Sequence, residues 1–285
     1  MRPSHTSSPP SVPPIRRIGM MQPLVWLVLG WRDIAHIGWA SVAHGLALAF
    51  LSMAIVWFAH NQFWLLAGAL SGFMLIAPVL ATSLYALSRA LERGEPSGFL
   101  VVRNTWLQWQ QQAGASDAKA YWRMVQFGAL LACATGTWFI SSAALITLLA
   151  PVPIRTPLDF VHYVVLARQG WLFEAWLGLG AMMAAPIFAS SVIAMPLLLE
   201  RRVTVLQAVL YSWMAVLENP APMAFWACII LVFTLLAFAC LMLGLVPVIP
   251  MLGHASWHAY RALIDAEQLA LSNPNAQQFN ATGAH

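Results

Sequence analysis

The chain has 285 residues, of which 60% are hydrophobic and only 8% charged, with a formal net charge of +4. A soluble domain carries about a quarter charged residues, so an aqueous globule is excluded. The positive balance does not imply nucleic acid, because the arginines sit at the ends of apolar runs and form no basic stripe.

Residues 1–18, MRPSHTSSPPSVPPIRRI, are rich in Pro and Ser and lack apolar periodicity, which predicts a disordered tail. Arg16-Arg17 followed by Met20 to Gly30 imitates a signal peptide. Arg32-Asp33 interrupts the stretch before any cleavage site, so no cleavage is expected. Residues 19–264 read as one membrane domain and residues 265–285 as a polar tail.

A spanning helix needs about 20 apolar residues. On that ruler the spans are Ile37 to Ala59, Phe63 to Ser88, Met124 to Ala150 and Trp171 to Leu199. Between Pro220 and His254 lie 33 uncharged residues; as one helix they would extend about 50 Å, too long for one crossing. Splitting near Gly244 gives a fifth span at Pro222 to Leu243 and a sixth at Leu245 to Leu263, with a five-span alternative. The fold class is therefore all-α, a polytopic transmembrane helix bundle.

With both termini in the cytoplasm, six spans put 12 of the 14 basic residues inside and leave only Arg155 and Arg168 outside. That asymmetry is the positive-inside pattern. Trp31, Trp39, Trp106, Trp109, Trp122 and Trp213 near inner ends, and Trp57, Trp64 and Trp171 near outer ones, form an expected headgroup belt. Trp138 is expected in the core. Cys133, Cys228 and Cys240 fall in apolar runs without CxxC spacing and read as buried free thiols.

Pro23 to Asp33, Ser97 to Gln112 and Thr204 to Leu217 mix Trp, Leu and Val with a few polar residues, as helices lying in the interface plane do. The order suggests a repeat: interfacial helix, outward span, inward span, three times. Pro78, Tyr85 and Arg89 in the second span match the spacing of Pro250, Trp257 and Arg261 in the sixth. Those offsets return to one helical face.

The polar residues gather at the inward ends. His254 and His258 share a face and are candidate ligands for a metal or haem, although no carboxylate lies within the predicted spans to complete a site; Glu174 and Glu200 stand at the ends of the fourth. The other histidines, among them His36, His44, His60 and His162, lack ligand spacing. Thr82, Tyr85, Arg89, Glu200, His254, His258 and Arg261 would together form a shallow polar vestibule open to the cytoplasm, with Tyr260 a further candidate binding residue beside them. Within it Glu200 neutralises one of the arginines; the plainer reading is that these groups anchor helix ends by snorkelling. The loop from Pro151 to Gly170 reads as a short amphipathic element on the outer face. No hydrolase, nucleotide-binding or zinc motif occurs, so neither an enzyme nor a cofactor is expected.

Several stretches together resemble a known family. They are Pro23-Leu24 through Gly30-Trp31-Arg32-Asp33, Ala77-Pro78-Val79-Leu80 through Tyr85, Ser88-Arg89 and Leu91-Glu92, Met195-Pro196-Leu197-Leu198 with Glu200-Arg201, and Gly253-His254-Ala255-Ser256-Trp257-His258-Ala259-Tyr260-Arg261. The chain resembles, from Pro23 to Ile264, an uncharacterised family of proteobacterial integral membrane proteins with a GHxxWHxYR ending. Some members are labelled cytochrome c oxidase subunit I, yet this chain has neither the His-His pair nor the His-Pro-Glu sequence of that subunit. Glu200 stands where the usual pattern has aspartate. The resemblance implies an inner-membrane location and a multi-helix fold, with no established activity. The leading expectation is a non-enzymatic binding, accessory or scaffold protein whose partners are the bilayer and a membrane protein or lipid. The alternatives are a small-solute transporter or channel and a haem or metal electron carrier using His254 and His258.

Overall fold

Gly38 divides the first helical stretch in two. Its φ of +68° is a conformation that glycine adopts without strain, and it ends α1 (Gln22–Ile37) and turns the chain into α2 (Trp39–Ala59). The computed structural model describes residues 15–59, 63–64, 66, 68, 81–111, 118–167, 170–201 and 203–264. After α2 follow α3 (Thr82–Glu92), α4 (Phe99–Gln111), α5 (Ala118–Leu149) and α6 (Pro157–Phe160), the last continued by a π-helical turn over Val161–Val165. Then come α7 (Leu172–Ser191), α8 (Ala194–Glu200), α9 (Val205–Glu218), α10 (Pro220–Ala239) and α11 (Leu245–Leu263). Among the described residues the fold is all-helical, with one isolated bridge pairing Ile15 and Ile264.

Four helical stretches are long and apolar enough to cross a membrane: Trp39–Phe58, Trp122–Leu149, Leu172–Glu200 and Pro220–Ala239. They correspond to the first, third, fourth and fifth predicted spans. The outer part of the second predicted span, most of residues 65–80, lies outside the described residues, as do residues 1–14, residues 265–285, His60, Arg168 and Arg202; its inner end is α3. The sixth is a helix with the predicted bounds, Leu245–Leu263, but its polar ending keeps it out of the strongly apolar set.

The boundaries have local causes. Pro186 and Pro196 each lack the amide that would bond the carbonyl four residues back, and the fourth span is interrupted at Val192–Ile193 between α7 and α8. The Ile193 amide at the break donates instead to Ser212 Oγ at 3.2 Å. The fifth span ends at Ala239, four residues before the expected Leu243, because Leu241 and Met242 turn left-handed with φ of 52° and 67°. Thr204 and Gln207 form a reciprocal capping box that starts α9. In the expected outer loop, Thr156 and Asp159 do the same for α6. The Arg155 and Thr156 backbone amides hold the Asp159 carboxyl below the usual carboxylate range.

Helix α11 is the centre of the bundle, with α1, α2 and α3 packed around it. The approach is close enough to require glycine. A Cβ on Gly30 of α1 would lie 2.6 Å from the Met251 carbonyl oxygen, and one on Gly45 of α2 would lie 2.1 Å from that of Val246. At the other flank α5 packs on α7, and α9 packs on α7 and α8. Trp26 of α1 meets Trp226 of α10 edge to face, with ring centroids 5.5 Å apart and both rings fully buried.

Two expectations are corrected by exposure. Cys133, Cys228 and Cys240 are free but exposed on the helix surfaces, where a thiol is as compatible with hydrocarbon as with a core. Helix α1 is more than a surface element: Pro23, Trp26, Gly30, Asp33 and Ile37 form a buried face that crosses from α10 over α11 to α3. Of the expected belt, Trp31, Trp39, Trp57, Trp122, Trp171 and Trp213 are exposed and Trp64 is half-buried, while the side chains of Trp106 and Trp109 lie outside the described residues. Trp138 is half-buried beside Trp176, centroids 5.7 Å apart.

Candidate functional site

The C-terminal ends of α3, α8 and α11, the three segments that close the predicted inward spans, converge on one polar cluster. In its buried half, α11 presents His254 to serines on two other helices. Ser41 of α2 lies 2.8 Å from Nε2 and Ser88 of α3 lies 2.7 Å from Nδ1. Ser88 gives its single hydroxyl proton to Asp33 Oδ2 at 2.6 Å. It must therefore accept from His254, which fixes the proton of a neutral ring on Nδ1 and leaves Nε2 to accept from Ser41. Asp33 Oδ2 also meets His258 Nε2 at 2.9 Å. One carboxylate thus ties α1 to α3 and α11, and His254 ties both to α2.

Asp33 sits on α1, outside the spanning segments, and is 7% exposed. Burial opposes its charge, but the bonds from His258 and Ser88, together with the nearby imidazoles, outweigh it and hold the pKa below the ordinary value.

The outer half is built from ion pairs. Trp257 Nε1 donates to Glu92 Oε2 at 3.0 Å, and Arg261 lies 2.9 Å from Glu92 Oε1. Glu200, at the end of α8, accepts from the Tyr260 hydroxyl and lies 3.7 Å from Arg93 and 4.0 Å from Arg261. Arg261 thereby bridges carboxylates from two other helices. Arg89 turns to the Leu199 carbonyl at 3.2 Å, again joining α3 to α8.

Of the residues singled out in the sequence, Arg89, Glu200, His254, His258, Tyr260 and Arg261 are brought to this end of the bundle. Tyr85 is buried beside them, its hydroxyl bonded to Ser256. The carboxylates missing from the sequence reading are Asp33 and Glu92, and the missing hydroxyls are Ser41 and Ser88. Asp33 is the partner of residues 55 and 225 positions away; its only sequence signal is an acidic residue interrupting an apolar stretch. Among the described residues no group of three His, Cys, Asp or Glu side chains is placed to hold a metal.

A second set of bonds closes the same end. The Arg16 amide donates to the Leu263 carbonyl at 3.0 Å beside the Ile15–Ile264 bridge. Asn219 accepts from the Ile18 amide at 2.8 Å and donates to the Arg16 carbonyl at 3.1 Å, while Arg17 pairs with Glu218 at 3.2 Å.

Residues 65–200, just under half of the chain, match the family model of a predicted integral membrane protein, DUF2189. The matched stretch ends at Glu200 and does not include the His254–Arg261 ending. No curated protein and no solved structure matches the chain. The family match and the apolar helices together make this an integral membrane protein with several membrane-crossing helices.

Proposed function

We propose that this chain is a non-enzymatic accessory or scaffold protein of the bacterial inner membrane. It spans the membrane six times as three hairpins, with both termini in the cytoplasm, and binds a membrane protein or lipid partner at its polar end.

The topology draws support from the pairing of Ile15 with Ile264, since two segments in contact lie on one side of the bilayer and the crossings between them are even in number. It draws further support from the convergence of α3, α8 and α11, the ends of the three inward segments.

The single observation that carries the non-enzymatic reading is saturation of the cluster. Asp33, Glu92 and Glu200 are each engaged by at least two side chains, and both ring nitrogens of His254 are taken by serines. A general acid, base or ligand needs a position left for the reacting group; these side chains instead fix five helices, α1, α2, α3, α8 and α11, in one arrangement. The electron-carrier reading would require His254 to surrender a serine bond, and an absorption spectrum without a haem band removes it. Transport would need a polar path continuing from this end through the apolar bundle.

Arg93 is the cluster's half-exposed cation, held to Glu200 at 3.7 Å, and is suited to meeting a partner. Protein extracted from native membranes, wild type beside Arg93→Glu, tests the proposal by mass spectrometry of what co-purifies. The expected result is a stoichiometric protein or lipid retained by the wild type and lost from the variant. Equal recovery in both, or nothing above background, contradicts it.

A further inference from the structure

Helix α9 is turned inside out by the standards of a water-soluble helix. Its buried face consists of small residues, Ala208, Ser212 and Ala215, which let it lie close against α7 and α8. Its exposed edge is Leu206, Leu210, Trp213 and Leu217, at offsets of four, three and four, with Leu206 and Leu217 each more than two-thirds exposed. From Val205 to Leu217 the helix carries no charge.

Both ends of α9 lie at the polar end of the bundle. It starts five residues after Glu200, which is bonded to Tyr260 and Arg93 of the cluster. It finishes at Glu218 and Asn219, which hold Arg17, Ile18 and the Arg16 carbonyl beside Leu263. A 14-residue helix is about 21 Å long. With its two ends at one level, it runs parallel to the membrane plane, not through it.

We propose that α9 is seated in the cytoplasmic leaflet, with its Leu206–Leu210–Trp213–Leu217 edge against phospholipid acyl chains just below the headgroups. Three observations favour lipid over a second protein as the occupant. The edge has no charged or hydrogen-bonding group apart from the Trp213 indole, whose Nε1 already donates to Ser190 Oγ of α7 at 2.9 Å. It belongs to a helix packed on α7, part of a membrane-length apolar stretch whose own Leu177 and Met182 are exposed, so the edge borders a helix suited to lipid. Small residues inward and large apolar residues outward are the arrangement of helices packed in hydrocarbon. The Arg123 guanidinium, bonded to the Val203 carbonyl at 2.6 Å, and Arg201 stand at the helix start, where headgroup phosphates would lie. The inference rests on the cytoplasmic placement of the polar end proposed above only for the name of the leaflet.

Spin labels test it. In a background with Cys133, Cys228 and Cys240 replaced by alanine, Leu206→Cys, Leu210→Cys and Leu217→Cys are each labelled in vesicles of phosphatidylethanolamine and phosphatidylglycerol. Collision with oxygen is compared with collision with a water-soluble nickel chelate. The expected result is oxygen-dominated relaxation at all three sites and one common shallow depth. A depth gradient of about 16 Å between positions 206 and 217, the rise of 11 helical residues, would mean a crossing helix and overturn the proposal. Dominance of the nickel chelate would mean an aqueous face, and protection from both agents a protein-covered one; either overturns it as well. All three labels sit on exposed positions, so the variants retain the packed face. The readings report the depth and surroundings of α9 itself and stand whether or not Arg93→Glu loses a partner.

Discussion

Asp33 illustrates how one buried side chain can hold several helices. Its carboxylate receives Ser88 from α3 and His258 from α11, and through Ser88 it fixes the tautomer of His254 and thus the bond to Ser41 on α2. Removing one partner of such a pair leaves the others buried and unsatisfied. Asp33→Ala is therefore expected to cost about 3 kcal/mol, read as a lowered melting temperature in detergent, with Asp33→Asn milder because the amide oxygen still accepts. The pH dependence follows from the depressed pKa of Asp33. A carboxyl group whose folded value lies below its unfolded one contributes stability in full above the unfolded value of about 4 and loses it as pH falls through the folded value. The melting gap between wild type and Asp33→Asn should accordingly be constant near neutrality and shrink below about pH 4.

At the scale of elements, close helix contacts around α11 depend on absent side chains. A Cβ on Gly45 would strike the Val246 carbonyl, part of the backbone, at 2.1 Å, whereas Gly253 faces the Leu84 Cδ1 atom at 2.4 Å, the movable end of a side chain. Gly45→Ala should thus destabilise by about 2–3 kcal/mol and Gly253→Ala by less, measured by the same melts.

The elements were unevenly legible in the sequence. Helix α11 was readable to the residue, because Gly244 and the polar ending bound it. The end of span five was not, since Leu241 and Met242 are apolar residues in a left-handed turn and leave no mark in composition. Helices α1, α4 and α9 were visible as mixed apolar and polar stretches, but the buried face of α1 was not: its partners, α10, α11 and α3, are distant in sequence. Likewise, charge at the ends of the predicted inward spans pointed to the polar end, while Asp33, Ser41 and Ser88 needed the tertiary contacts to reveal them. Exposure of the cysteines was illegible for a further reason: core and lipid-facing positions are both apolar in a membrane protein.

For the molecule as a whole, the account turns on which side of the bilayer its ends occupy. The cluster formed by Glu92, Glu200 and Arg261, the α9 seat and the Ile15–Ile264 pair all lie at one end. The excess of arginine among the segments assigned to that side supports the proposed cytoplasmic placement. Three hairpins, each opened by an interfacial helix, would deliver α3, α8 and α11 to it in turn. The most direct test is a pair of fusions in living cells, one reporter ahead of Ile15 and one after Ile264, each made in a form active only in the cytoplasm and a form active only in the periplasm. The account predicts cytoplasmic signal from both positions. Signals on opposite sides would mean an odd number of crossings, and periplasmic signal from both would invert the bundle; either result contradicts it.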